Sequence, residues 1–161
     1  MEEQKRLHQC CFTGHRPEKL LHTEVYIINE LKREILAAID SGFTTFITGM
    51  ARGTDILAAE LVIELRDAGQ PLMLICASPF EGFENSWDED WQQRYTQVLH
   101  KADSVHFICN HCSRYCFQIR NRWMVDHSMR VIAVYNGSPG GTRNTINYAE
   151  SKNIPVFTIQ A

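Results

Sequence analysis

The feature that most restricts the fold of this chain is a series of apolar runs that do not alternate with polar residues. Pro71 to Ala77 is apolar at nearly every position, and Val131 to Tyr135 is apolar throughout. A strand with one wet face alternates, whereas a near-continuous apolar strand is covered on both faces, which is the signature of a parallel sheet between helices. Six such runs are predicted as strands: Leu7 to Thr13, Phe43 to Thr48, Pro71 to Ala77, Ser104 to Cys109, Val131 to Tyr135 and Pro155 to Ile159. Helical spacing fills the gaps. Ile28, Leu31, Ile35 and Ile39 recur on one face, with Gly42 placed to end that helix. Asp55 to Ala68 carries Ala59, Val62 and Leu65 on one face, with Gly69 as its stop. A helix with Arg94, Tyr95, Val98 and Leu99, a helix over Arg120 to Met129 and a last one over Thr142 to Lys152 complete the alternation. The pattern predicts one α/β domain over 1–161, doubly wound around a mainly parallel sheet with helices on both faces.

Three of the strand ends carry glycine-rich turns: Thr13-Gly14-His15-Arg16-Pro17, Gly49-Met50-Ala51-Arg52-Gly53-Thr54-Asp55, and Gly137-Ser138-Pro139-Gly140-Gly141-Thr142. Glycine lets backbone N–H groups approach an anion, and a helix N-terminus adds a favourable dipole. Ligands of doubly wound folds lie at the carboxyl ends of the strands, so three such turns on one sheet edge outline a phosphate pocket. Arg16 is placed to hold a phosphate, and His15 to donate a hydrogen bond or a proton. The second turn is neither a Walker loop nor a dinucleotide fingerprint, because its glycines are four apart and no Gly-Lys-Ser/Thr follows. Thr54 or Asp55 is expected to cap the helix after it, and Thr142 the last helix, with Arg143 adding a donor. In Arg120-Asn121-Arg122-Trp123-Met124-Val125-Asp126, Arg120 and Met124 share a helical face.

The bland reading of each motif is a tight βα turn or a half-buried helix with snorkelling arginines. Their co-occurrence favours a ligand. Phe80, Phe83 and Trp87 lie in the polar stretch Ser78 to Asp90, predicted as an irregular, mobile flap; they either stack on a base or plug the surface between helices. Asp88-Glu89-Asp90 reads as a helix N-terminal turn.

With 161 residues and a net charge of −3, the chain lacks the basic excess of a general nucleic-acid binder. No apolar run approaches the length of a membrane span, and the first residues lack the apolar segment of a signal peptide. The expectation is a cytoplasmic, reduced protein. Cys109-x-x-Cys112-x-x-x-Cys116, with His106 and His111 nearby, offers one knuckle where structural zinc uses two. No metal and no cofactor are therefore expected, and the six cysteines are expected as free thiols.

Taken together, T-G-H-R-P, G-M-A-R-G-T-D, Trp87 followed by Arg94-Tyr95, R-N-x-x-M-V-D and G-G-T before the last helix resemble the YpsA-like family of the SLOG superfamily. That superfamily includes the cytokinin-activating LOG phosphoribohydrolases and DNA-processing protein A, and YpsA-like members occur in bacteria and their phages. The match runs from about Cys10 to Ala149. The resemblance implies a Rossmann-like domain that binds a nucleotide or nucleotide-derived ligand and self-associates into a homo-oligomer. The ligand-binding set is then Thr13, Gly14, His15, Arg16, Gly49, Met50, Ala51, Gly53, Thr54, Arg120, Asn121, Met124, Gly137, Gly140, Gly141, Thr142 and Arg143. LOG enzymes follow their glycine-glycine-x-glycine-threonine turn with a catalytic glutamate, and Thr145 occupies the corresponding place here. Binding, as a sensor or sequestering module, is thus favoured over turnover. A nucleotide N-glycosidase is the alternative, with His15, Glu84 and Asp126 as stand-in acid–base groups. Single-stranded DNA binding is a second alternative.

Overall fold

The computed structural model describes residues 2–161. Six strands, β1 (Gln9–Gly14), β2 (Thr45–Thr48), β3 (Met73–Ser78), β4 (Ser104–Phe107), β5 (Arg130–Tyr135) and β6 (Val156–Gln160), form one sheet in the order β4-β3-β2-β1-β5-β6. Every neighbouring pair is parallel. The doubly wound, Rossmann-like architecture expected from the apolar runs is the architecture found. Among the described residues a short helix, α1 (Glu2–Arg6), precedes β1, and five helices connect the strands: α2 (Glu24–Asp40), α3 (Thr54–Asp67), α4 (Glu89–Lys101), α5 (Cys116–Asp126) and α6 (Gly141–Ser151). No described helix is long and apolar enough to cross a membrane.

Because successive side chains of a strand point to opposite faces, β1 sends Cys10 and Phe12 into one core and Cys11 into the other. The larger core gathers Phe12, Phe46 and Leu74 from the sheet with Ile27, Leu31 and Ile35 of α2 and Ile56 and Val62 of α3. Phe12 and Phe46 stack there with ring centroids 5.8 Å apart. On the other face Ile47, Ala77 and Val131 meet Met124 and Val125 of α5 and Ala149 of α6. Thr23 caps α2 by accepting a hydrogen bond from the Tyr26 N–H at 3.2 Å, and Ile27, Leu31, Ile35 and Ala38 follow as its buried stripe. Leu31 is fully buried, so Leu31→Ala removes about 2–5 kcal/mol of stability.

Several local expectations are corrected. The helix starts differ: Gly53 and Gly140, not Thr54, Asp55 or Thr142, occupy the N-cap positions of α3 and α6. Their φ values of 92° and 143° suit a residue without a Cβ, which displaces the side-chain caps into the first helical turn. Asp88 does cap α4, accepting from the Trp91 N–H at 3.1 Å. Helix α5 begins at Cys116, a turn ahead of the expected Arg120. That earlier start brings Cys116 to Cys109 beyond β4, with Cα atoms 6.1 Å apart, and the two form a disulfide. Free thiols remain at Cys10, Cys11, Cys76 and Cys112. The stretch expected as a mobile flap is tied down. Phe80, Phe83 and Trp87 form edge-to-face pairs that continue to Tyr95 of α4, and Gln92 donates to the carbonyls of Glu84 and Asn85.

Candidate functional site

Strand order reverses at β1, which pairs with β2 on one side and β5 on the other. A crevice opens outside the carboxyl ends of strands at such a point. Here it is a cavity of about 740 Å³. The β1–α2 turn contributes Thr13, Gly14, His15 and Arg16, with Lys19 just beyond. The β2–α3 turn contributes Ala51, Arg52 and Asp55. From the β3–α4 segment come Phe80, Phe83, Ser86, Trp87 and Asp88. Helix α5 and the loop before it supply Cys112, Phe117, Arg120, Asn121 and Met124, and α6 supplies Gly141 and Thr142.

The walls differ in chemistry. On the β1 and β5 side, Arg16 is exposed, and no side chain caps the N-terminus of α6. Lys19 leans over that terminus: a methyl group added at Gly140 would sit 3.7 Å from its Nζ. On the β3 side the wall is aromatic. Phe117 packs on Phe80 and Phe83 with centroids 6.1 and 5.6 Å apart, extending the Phe83–Trp87 pair.

Between these walls the β2–α3 turn is fixed by its own hydrogen bonds. Thr48 Oγ1 donates to the Asp55 carbonyl at 2.8 Å and accepts from the Met50 N–H at 3.3 Å. Met50 is held in the left-handed region, at φ 66°. Thr54 Oγ1 donates to the His15 carbonyl at 3.1 Å, joining this turn to the β1–α2 turn. A Cβ at Gly49 would lie 2.8 Å from Asp55 Oδ2 and 2.9 Å from Arg120 Nη1, so a larger residue there would have to displace the Asp55 or Arg120 side chain. Arg120 is buried; it donates from Nη1 to the Gly49 carbonyl and from Nε to Asn121 Oδ1 at 2.7 Å. Burial pulls its guanidinium below the usual arginine range, opposed by the charge of Asp55. Asp55 is 5% exposed; its Oδ2 accepts from the Ala51 N–H at 3.2 Å, while its Oδ1 has no partner. Burial pushes this carboxyl up to about 6, against the pull of Arg120.

The cavity therefore brings together Thr13, Gly14, His15, Arg16, Ala51, Arg120, Asn121, Met124, Gly141 and Thr142. Gly49, Met50, Gly53, Thr54, Gly137, Gly140 and Arg143 lie in the supporting turns, outside its walls. His15 does not stand ready as a donor at Nε2. That atom accepts the Asn136 backbone N–H at 3.1 Å, which places the ring proton on Nδ1. Burial also lowers the pKa of the ring, which favours its neutral form. Glu84 is outside the cavity walls, beside Tyr95. Asp126, at the far end of α5, accepts from the Tyr148 hydroxyl at 2.7 Å. Thr145 is buried and returns its hydroxyl to the Gly141 carbonyl at 2.9 Å.

Sequence reasoning missed Lys19, Arg52, Phe117, Cys112 and, above all, Asp55 as members of the site. The signal for Asp55 was present, a carboxylate inside a glycine-rich turn, but an N-cap role accounted for it equally well.

Comparison with known proteins agrees with this fold. The YpsA family model, described as the YspA SLOG family, matches residues 10–161. An uncharacterized SPbeta prophage-derived protein, YoqJ of Bacillus subtilis, is 34% identical over 139 residues, covering 75% of this chain and 81% of its own. A UPF0398 protein of Bacillus thuringiensis is 29% identical over 149 residues, covering 87% and 81%. Among solved structures, DNA processing protein A from Streptococcus pneumoniae superposes with a TM-score of 0.69 at 15% identity. It covers 99% of this chain, which in turn spans about half, 52%, of that protein. DNA processing protein A from Helicobacter pylori, described with its single-stranded DNA binding mode, gives a TM-score of 0.67 at 17% identity, covering 99% and 68%. At such identities the likeness is one of fold.

Proposed function

The chain belongs to the YspA SLOG family, and from that premise we propose that its cavity binds a nucleotide or nucleotide-derived phosphate ligand. One observation carries the reading: a cation-lined helix N-terminus and an aromatic wall face one cavity across the switch point of the sheet. Arg16, Lys19 and the free N–H groups of Gly141 and Thr142 suit a phosphate. Phe80, Phe83, Trp87 and Phe117 suit a base. The cavity's roughly 740 Å³ is within the range of small-molecule sites.

Binding rather than turnover is the proposed role. Thr145 supplies no carboxylate where the LOG enzymes carry theirs, Glu84 and Asp126 stand outside the cavity, and His15 is engaged by Asn136, which leaves Asp55 and Asp88 as the carboxylates on the cavity's wall. Self-association, which the family resemblance implies, is proposed alongside and is checked by light scattering.

Single-stranded DNA is the competing ligand class, because the fold neighbours are DNA processing proteins. A thermal-shift screen of mono-, di- and cyclic nucleotides, run beside a salt series of DNA binding, separates the two. The proposal expects a nucleotide-dependent rise in melting temperature. Tight, salt-sensitive DNA binding with no nucleotide shift would overturn it. Chromatography of the incubated nucleotides tests the role: free base released catalytically would replace binding by hydrolysis.

A further inference from the structure

We infer that the Cys109–Cys116 bridge is a redox switch on the cavity wall: oxidised, it fixes the start of α5, and reduced, it lets that start and the loop before it loosen. Its effect on affinity rests on the nucleotide reading above, whereas the switch itself does not.

Four observations carry it. First, the bridge is local. It spans seven residues beside the exposed edge strand β4, and both cores are built without either of its cysteines. A bridge that closes so short a loop adds less to global stability than a long-range one. Second, it is joined to the cavity wall. Cys116 opens α5, Phe117 beside it packs on Phe80 and Phe83, and Arg120 one turn on donates to the Gly49 carbonyl. The closed loop places Cys112 on the same wall. Third, the reduced form has a partner waiting. Cys116 is fully buried, and its Sγ lies 2.8 Å from the Pro79 carbonyl oxygen, which also accepts the Cys109 N–H at 2.9 Å. Reduction therefore exchanges a covalent tie for a weak S–H donor on that carbonyl, which loosens the helix start without unfolding it. Fourth, the chemistry is confined to this corner. Cys109 is half-buried and Cys112 exposed, whereas Cys10, Cys11 and Cys76 are buried, with thiols pushed well above the ordinary range.

The reductant is a dithiol. Its thiolate attacks Cys109 Sγ, the S–S bond breaks, and Cys116 leaves as a thiolate that takes a proton from water. The second sulfur of the dithiol loses its proton and closes on the first, releasing Cys109 as a thiolate that is protonated in turn. Two electrons pass to the protein, leaving two thiols and one cyclic disulfide.

The test is hydrogen exchange of the ligand-free protein, equilibrated with oxidised or with reduced dithiothreitol and read by mass spectrometry. Thiol labelling after denaturation should count four in the oxidised protein and six in the reduced one. Reduction is expected to speed exchange over residues 113–121 by at least about 5-fold and to leave α2 and α3 unchanged. Cys109→Ser combined with Cys116→Ser should exchange fast in both buffers; because it keeps Cys112, it separates the bridge from chemistry at that thiol. If this variant does not fold, the two forms of the wild type decide. Calorimetry of adenosine 5′-monophosphate should show affinity about 5- to 150-fold lower in the reduced protein, and by linkage the bound nucleotide should make the bridge harder to reduce by the same factor. Six thiols in the oxidised buffer, or unchanged exchange on full reduction, overturns the switch. Faster exchange with unchanged affinity overturns its coupling to the cavity. Absence of nucleotide binding in both forms counts against the nucleotide reading and leaves the switch decided by exchange alone.

Discussion

The turns that start α3 and α6 each place a positive-φ glycine at the N-cap, Gly53 at 92° and Gly140 at 143°, and neither helix is capped by a side chain. Their surroundings differ. A Cβ at Gly53 would lie 2.9 Å from the His15 carbonyl, and one at Gly14, across the same contact, 2.4 Å from Thr54 Oγ1. At Gly141 the nearest atom is Asn121 Nδ2, at 4.0 Å. Gly14 and Gly53 sit where the β1–α2 and β2–α3 turns touch, whereas Gly141 faces open space. Similar sequence grammar thus serves packing at one strand end and leaves open space at another. A glycine motif read without its neighbours does not distinguish them.

Substitutions break or sharpen that contrast, the largest effect first. Gly14→Ala should cost about 2–4 kcal/mol in urea unfolding, because its Cβ meets three atoms of a buried threonine. A loss below about 0.5 kcal/mol would dissolve the distinction between the turns.

Asp55→Asn should act the other way. Folding raises this carboxyl from its ordinary 3.8 to about 6, so the folded state holds the proton more tightly. That contribution favours folding below pH 4 and is lost as pH rises through 6. The neutral amide avoids the loss, so the variant should be more stable than wild type by about 2–3 kcal/mol at pH 8 and nearly equal to it at pH 4. Urea titrations at the two pH values decide it. A variant less stable at pH 8 would mean that the ionised carboxylate supports the fold.

Gly141→Ala should change stability by less than about 0.5 kcal/mol in the same assay, since its Cβ enters open space. A destabilisation comparable to that of Gly14→Ala would mean that the second turn is packed as tightly as the first.

The middle of the sheet was legible because β1, β2, β3 and β5 are largely buried on both faces, so Val131 to Tyr135 needed no partner to be recognised, whereas the edge strands β4 and β6 are mostly exposed. The three turns were legible because glycine is conspicuous. What escaped depends on contacts between distant parts of the chain. The proton position on His15 is decided by Asn136, 121 residues away. The Cys109–Cys116 bridge depends on where α5 starts. Asp126 shares a helix with Arg120, but six residues of helical rise, about 9 Å, carry it away from the cavity. Asp55 was visible as a residue but not as a buried carboxylate, because glycine took the cap and Arg120 arrives from another helix.

The central claim is that the open turn and the cations beside it hold a phosphate. Its most direct measurement is calorimetric titration of a nucleoside 5′-monophosphate, and of the same nucleoside without its phosphate, into wild type and Arg16→Ala. The expected result is a phosphate-dependent affinity in the wild type that falls by about 10- to 150-fold in the variant, the range of a charge-assisted hydrogen bond, with unfolding unchanged. Equal affinity of the two proteins, or of the two ligands for the wild type, would contradict it.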